Sequence, residues 1–419
     1  MRRLLRVPIF LGMNLVELSL AAVAVSMPFG NNLNSRAILV FCFVAFLCNN
    51  LKEKLLYLKA NKKTWAIPLV YYLLAAASHF WDESPHKSFS YLETSASLLV
   101  FPIILTCLGP LNRESIKRII VIFAITNILA ALYCTWQAYL EYKATDYINV
   151  FYYHHISKHI GISAIYFSTY CVFSIVALYY YTFMQKSRVL AQVFTFLGIL
   201  ILTAFTILLS SKMFIFLLYI SGIGICMYSF FKFRQNRLRP LIIGTLLIAI
   251  PILMLRLPYV YARITETHPK QYVGTEDDQN GFAVRGLLWE KSWKLIKKRP
   301  LLGWGYYAGL DELRNEYHQA GFEEGVKQNY NSHNQYLYTW LCFGIPGIIL
   351  LLGFLLQFLF TVFKKREFLG VYLILLFMMA MMTDCMLEIQ KGIVFLMFFG
   401  GLFVFNAFPS GGKNSPTNS

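Results

Sequence analysis

A histidine opens a long apolar run in Asn329-Tyr330-Asn331-Ser332-His333-Asn334-Gln335-Tyr336. The pattern predicts a helix beginning there, with His333 in its first turn. The positive end of a helix dipole disfavours an imidazolium at that point, and a neutral imidazole near pH 7 is what a general base requires. An interfacial polar residue without chemistry is the plainer reading. Elsewhere, Ser210-Ser211-Lys212 is the whole connection between two apolar runs. A cation so placed costs free energy unless it reaches lipid headgroups or a polar cavity, which leaves snorkelling and anion binding both open. Asp384 and Glu388, with Gln390 and Lys391, form a third polar turn. Carboxylates four residues apart lie one helical turn from each other and can hold a cation from a neighbouring segment. Solvation of the turn accounts for them equally well.

A fourth group lies on a predicted helix over residues 284–299. Trp289, Trp293 and Ile296 share a face with Arg285 at its start, and Lys291, Lys294 and Lys298 make a cationic stripe. Pro300 stops the helix, and Gly303-Trp304-Gly305 turns the chain. Such a helix either lies on anionic lipid with tryptophan at headgroup level or floors a site for an anionic lipid-linked substrate, and the two are compatible. Nothing signals a metal or cofactor. There is no Asp-x-Asp, and the one acidic cluster, Glu276-Asp277-Asp278, sits in a polar loop. The eight cysteines (Cys42, Cys48, Cys107, Cys134, Cys171, Cys226, Cys342, Cys385) show no metal or redox spacing and read as small buried apolar residues.

The elements that must position these groups are membrane helices. A hydrophobic share of 57% with 14% charge lies outside the range of soluble domains, as does a mean hydropathy of +0.54. The apolar residues fall into runs near the length that crosses a bilayer, over 9–27, 37–48, 65–80, 95–108, 119–140 and 160–183, then 189–209, 213–231, 241–258, 336–360, 368–383 and 393–408. The predicted class is an all-α polytopic membrane protein of about 12 transmembrane helices, with one large helical periplasmic loop. Arg2, Arg3 and Arg6 before the first run mimic a secretory signal. Glu17 interrupts that run and no cleavage site follows, so an uncleaved first span is expected.

A net charge of +17 does not point to nucleic acid, because the cations sit in short clusters between apolar runs rather than on one soluble face. Alternate connections hold Lys52, Lys54, Lys59, Lys62 and Lys63; Arg113, Lys117 and Arg118; Lys186 and Arg188; Lys232, Arg234, Arg237 and Arg239; and Lys364, Lys365 and Arg366. The intervening short ones hold isolated cations, Arg36, Lys87, Lys143, Lys158, Lys212 and Lys391. Positive charge inside then puts both termini in the cytoplasm and implies an even number of spans. The organisation expected is helices 1–9 over residues 1–258, a periplasmic loop over 259–334, helices 10–12 over 335–408 and a disordered cytoplasmic tail over 409–419. A second outer connection, 141–159, is rich in Tyr and His.

Three segments resemble the O-antigen ligase and O-antigen polymerase superfamily of bacterial envelope glycosyltransferases. Arg285-Gly286-Leu287-Leu288-Trp289, continued through Lys297-Lys298-Arg299-Pro300-Leu301-Leu302-Gly303-Trp304-Gly305, is similar to the family's loop pattern of Arg, Trp and a Pro-Leu-x-Gly-x-Gly turn. Ser332-His333-Asn334-Gln335-Tyr336-Leu337 with Gly344-Ile345-Pro346-Gly347 resembles its His-Asn motif and Gly-rich span. Leu208-Leu209-Ser210-Ser211-Lys212 sits where the family commonly has Ser-Arg; Lys keeps the charge but lacks the planar fork for bidentate phosphate contact.

The resemblance implies transfer of a glycan from an undecaprenyl-diphosphate carrier to an acceptor on the periplasmic face of the inner membrane. In ligases the acceptor is lipid A–core, in polymerases another lipid-linked repeat, in related enzymes a protein hydroxyl. Under it, His333 is the expected base and Lys212 and Arg285 the groups that stabilise the leaving diphosphate, giving metal-free inversion. Trp289, Ser211, Asn334, Tyr330 and Glu388 are the expected substrate-binding residues. A transporter of lipid-linked sugars is the reading from another class. It calls for polar or broken helices near the bilayer midplane, whereas the polar groups here concentrate at the outer edge.

Overall fold

The computed structural model describes residues 12–86, 88–184, 188–232, 238–254, 256, 261 and 282–405. The described residues are all-helical. In chain order the helices are α1 (Leu15–Ser26), α2 (Asn31–Leu47), α3 (Leu51–Ala60), α4 (Lys62–Ala77), α5 (Ser90–Ser95), α6 (Ser97–Leu108), α7 (Arg113–Thr145), α8 (Tyr153–Ser157) and α9 (Ala164–Tyr179). They continue as α10 (Val189–Leu208), α11 (Lys212–Lys232), α12 (Leu238–Met254), α13 (Phe282–Lys298), α14 (Tyr306–Gln319), α15 (Glu323–Lys327), α16 (Gln335–Lys364), α17 (Phe368–Ala380) and α18 (Gln390–Phe405).

The described part of every apolar run singled out as a span lies on a helix. Among the described residues five helical segments are long and apolar enough to cross a membrane by themselves, and six if the bent pair α2–α3 is one span. Shorter apolar helices of 10–17 described residues are α1, α17 and α18, with the apolar stretches of α11 and α12. The first is shortened by its own cap. The Asn14 side chain accepts from the Glu17 amide and the Glu17 carboxylate from that of Asn14, so the helix starts at Leu15 instead of residue 9. Glu17 is therefore an N-terminal capping residue, buried against Arg118 at 3.3 Å. Residues 1–11 and the tail from 406 lie outside the described residues.

Large apolar side chains face outward, among them Leu39, Phe43 and Phe46 of α2, Leu129 and Trp136 of α7, Phe194 of α10 and Phe360 and Phe363 of α16. Water would penalise such a surface and lipid does not. The chain is a multi-pass membrane protein. At the centre, α9 and the part of α18 from Lys391 onward are buried all round, and Phe123, Phe173, Phe395 and Phe399 pack ring against ring between them. By contrast α3 buries none of its residues and bends 108° from α2. With Lys52, Lys54 and Lys59 beside exposed Leu51, Leu55 and Leu56 it has the make-up of an interfacial helix.

Connections gather at two ends. At one, Arg118 donates to the Gly12 carbonyl at 2.9 Å, Asn49 to the Cys107 carbonyl at 2.8 Å and Lys365 to the Val404 carbonyl at 2.8 Å, while Arg113 pairs with Glu367 at 3.3 Å. The described lysine- and arginine-rich connections around residues 49, 113–118 and 365–367 and both described chain ends are therefore together. At the other, Lys391 donates to the carbonyls of Met27 and Phe29, Gln390 to Asn34 and Ser35, and the Asp82 carboxylate caps α14 through the amides of Tyr307 and Ala308.

The segment from 282 to 334 sits on this second end and holds three helices, α13, α14 and α15, where one was expected. On α13 the buried stripe is Leu287, Leu288, Ser292, Leu295 and Ile296, and Trp293 stays exposed. The cationic stripe does not simply face lipid. Lys294 and Lys298 bind the buried Glu316 of α14 at 2.7 and 3.2 Å, and burial of that carboxyl is outweighed by the two lysines, which hold it below its ordinary range.

The turn after α13 is plugged into a break in α16. Gly344, at φ 64° and ψ −159°, interrupts that helix, and the freed carbonyls of Leu341 and Cys342 accept from Trp304 and Gly305 at 2.9 Å. A Cβ on Gly344 would stand 2.1 Å from the Leu301 carbonyl oxygen, and one on Gly303 2.6 Å from the Cys342 backbone. Two glycine-rich stretches 40 residues apart in the chain are thus one joint.

Candidate active site

The interlocked turn and α16 place His333 at this second end of the bundle. The Asn334 side chain caps α16 by accepting from the amides of Tyr336 and Leu337, so the helix starts at Gln335. His333 is consequently not in the first turn as expected but just ahead of it, in left-handed backbone at φ 41°. Its amide donates to the Asn331 side chain at 3.0 Å. That conformation turns the ring away from the helix and into a cavity of about 190 Å³, lined by Tyr153, His154, Ser163, Ile165, Tyr166, Tyr330, Asn331, His333, Asp384, Cys385, Glu388 and Ile389.

Both ring nitrogens of His333 are buried and make no hydrogen bond among the described residues. Nδ1 stands 3.6 Å from Asp384 Oδ1, beyond hydrogen-bond reach but closed by a small ring movement. Tyr330 meets the imidazole edge-on at 5.3 Å. Burial pushes the Asp384 carboxyl up, but the His333 ring, the Arg285 charge and the Cys385 N–H outweigh it and hold it below its ordinary value.

Asp384 and Glu388 lie in a turn, residues 381–389, and not one helical turn apart as expected. Asp384 of the two nevertheless meets a cation from the segment above. Arg285, near the start of α13, donates through Nε to the Thr383 carbonyl at 3.2 Å, next to Asp384. The Ser292 hydroxyl, 2.8 Å from that of buried Ser332, ties α13 to the His333 segment.

Gln335 holds the turn. It is fully buried, its amide donates to the Met381 carbonyl at 2.9 Å, and its side chain accepts from the Leu387 amide and donates to Glu388 at 3.2 Å. Burial raises the Glu388 carboxyl to about 7, against the Gln335 amide and the nearby Tyr306 phenol, which favour the charged form.

Of the expected site residues, His333, Tyr330 and Glu388 line the cavity. Arg285 reaches its Asp384 wall from the side. Asn334 is near but occupied, since its oxygen caps the helix and its amide donates to the Met382 carbonyl at 3.1 Å. Trp289 is half-buried against the core, and its indole N–H is buried without a hydrogen bond. Ser211 and Lys212 do not line the cavity; they follow Ser210, at φ 50°, at the head of α11.

Reasoning from the sequence missed Tyr153, His154, Ser163, Tyr166 and Gln335. The signal available was the Tyr- and His-rich run around residue 153. Among the described residues no group of three His, Cys, Asp or Glu side chains is disposed to hold a metal ion, and Glu276-Asp277-Asp278 lies outside them.

Residues 196–352 match the family model described as O-antigen ligase. Over that segment, less than half of the chain, the protein is similar to the O-antigen ligase family. Members are membrane glycosyltransferase-like enzymes. The match takes in Lys212, Arg285, the interlocked turn, His333 and the Gly344 break, while the other cavity walls, 153–166 and 384–389, fall outside it. No curated protein matches the chain.

Proposed function

We propose that the chain transfers a glycan from undecaprenyl diphosphate to a lipid A–core acceptor at the periplasmic face of the bacterial inner membrane, with inversion and without a metal. The observation that carries this reading is the His333 imidazole, buried with both nitrogens unpaired beside Asp384 in a polar cavity that Arg285 borders. The superfamily match supports a lipid-linked glycan donor.

The donor's anomeric carbon already bears a diphosphate, so two tasks are left to the protein. Asp384 orients the His333 ring through Nδ1, and Nε2 takes the proton of the acceptor hydroxyl. That oxygen forms its bond to the anomeric carbon as the carbon–oxygen bond to diphosphate breaks. The electron pair leaves with undecaprenyl diphosphate, whose growing charge Arg285 and Lys212 stabilise. In this scheme Tyr330 and Glu388 flank the reacting groups from the cavity wall, and Trp289, Ser211 and Asn334, which stand off it, contact the donor beyond its reacting atoms. Spans numbering about twelve and cytoplasmic termini set the donor's diphosphate at the level of the cavity.

Purified protein given a lipid-linked glycan and, separately, lipid A–core, a second lipid-linked repeat and a protein acceptor tests the reading. Transfer to lipid A–core that persists in EDTA is expected. Transfer only to the second repeat makes the chain a polymerase, and vesicle transport of the donor with no transfer makes it a transporter.

A further inference from the structure

In the transfer scheme above, on which this inference rests, each turnover leaves a proton on His333. The imidazolium would face the Asp384 carboxylate, which stabilises it, so the base needs a route to lose that proton before the next acceptor binds. Four side chains on the cavity wall are candidates to receive it. Asp384 is a poor acceptor, since the Cys385 amide donates to it at 2.7 Å and the Arg285 charge lies against it. The Nδ1 lone pair of His154 is taken by the Ala164 amide at 3.1 Å. Tyr330 is a phenol whose ionisation burial disfavours.

The fourth is different. One oxygen of Glu388 accepts from Gln335, while the other, Oε2, is buried with no hydrogen bond. The groups that act on it from the packed elements are Tyr71 of α4, Tyr91 of α5, Tyr166 of α9, Tyr306 of α14, Tyr338 and Cys342 of α16, and Cys385 of its own turn. Across the cavity stand Asp384, His154 and His333. None of these is a lysine or an arginine that would hold the carboxylate charged at all pH.

We propose that Glu388 is the proton acceptor that resets His333: the imidazolium N–H passes its proton to the free carboxylate oxygen, giving neutral imidazole and a carboxylic acid, which releases the proton to water once product has left. Both groups line one cavity of about 190 Å³, room for only a handful of waters, so a proton has a short path between them, direct or over a water bridge. Burial has brought this carboxyl to about 7, so it can take a proton near neutral pH and give it up again. Gln335 acts as the positioning residue, fixing Oε1 so that Oε2 is the one left to accept.

The test separates the first turnover from the rest. With lipid-linked donor and acceptor, Glu388→Gln should complete one transfer per protein and then continue at a rate lower than that first turnover by about tenfold or more, a drop the wild type does not show. Added imidazole buffer should restore the slow phase, and Glu388→Ala should respond in the same way to added acetate, which covers the case in which the Gln variant does not fold. An equal loss in the first and later turnovers, insensitive to buffer, returns Glu388 to substrate binding and overturns the proposal. So does an unchanged steady state. Wild-type protein that transfers nothing overturns the transfer reading itself, and this inference with it.

Discussion

His333 occupies left-handed backbone, at φ 41°, a conformation that costs a non-glycine residue about 1–3 kcal/mol and is kept where the surroundings over-determine it. Here the Asn331 and Asn334 side chains do so, one holding its amide and the other starting the helix behind it. If the ring is the base, His333→Ala and His333→Gln should both lose turnover by on the order of 10²–10⁴ with donor affinity unchanged, because an amide keeps a hydrogen bond but takes no proton. An active Gln variant would remove His333 as the base. Asp384→Asn should lower turnover without weakening donor binding, since the carboxylate meets the imidazole and not the diphosphate. The anion site makes a second prediction. Arg285→Ala and Lys212→Ala should each cost on the order of 10²–10³ in turnover, and Lys212→Arg should keep most of it. Lys212 stands at the head of α11 and off the cavity wall, so wild-type turnover in Lys212→Ala would return it to a snorkelling cation.

Between helices, the joint of the 300–305 turn with the α16 break is what carries His333 to its place. Gly344→Ala puts a methyl 2.1 Å from a backbone oxygen and a side chain at φ 64°, a penalty of about 2–6 kcal/mol from strain and overpacking together. The expected result is a lower melting temperature in detergent together with loss of transfer; a variant as stable as wild type would mean the break tolerates a Cβ. What was legible beforehand follows from range. Apolar runs are local, so the described part of each run is found as a helix, and Ser-His-Asn before α16 announced the histidine. Long-range partners were not legible. The lysines of α13 read as a lipid-facing stripe because Glu316, which takes Lys294 and Lys298, belongs to another helix. The outer end of α9 and the Tyr153 segment could not be assigned to the site, since only folding brings them to residues 330–333 and 384–389. Glu17 was misread for a nearer reason: it looked like a fault in a span and, with Asn14, forms the cap that starts it.

At the scale of the whole molecule the cations sort with the contacts. The end where Arg118 reaches Gly12 and Lys365 reaches Val404 also carries Lys52, Lys54, Lys59, Lys62 and Lys63 around α3 and Lys364 and Arg366 after α16. The end that holds the cavity has scattered lysines, and several are neutralised there, Lys158 by Glu141 at 2.7 Å and Lys294 and Lys298 by Glu316. An excess of positive charge on one side is retained in the cytoplasm during insertion, so the described chain ends are expected inside and the cavity outside. Reporters inserted after Gly321, in the exposed turn that follows α14, and after Arg366, in the turn between α16 and α17, test this without touching the site. Opposite compartments are expected, with Arg366 cytoplasmic. The same compartment for both would require α16, broken at Gly344, to enter and leave the bilayer on one side. The cavity would then open away from any carrier displayed at the periplasmic face, and the assignment of His333 to that chemistry would fall with the topology.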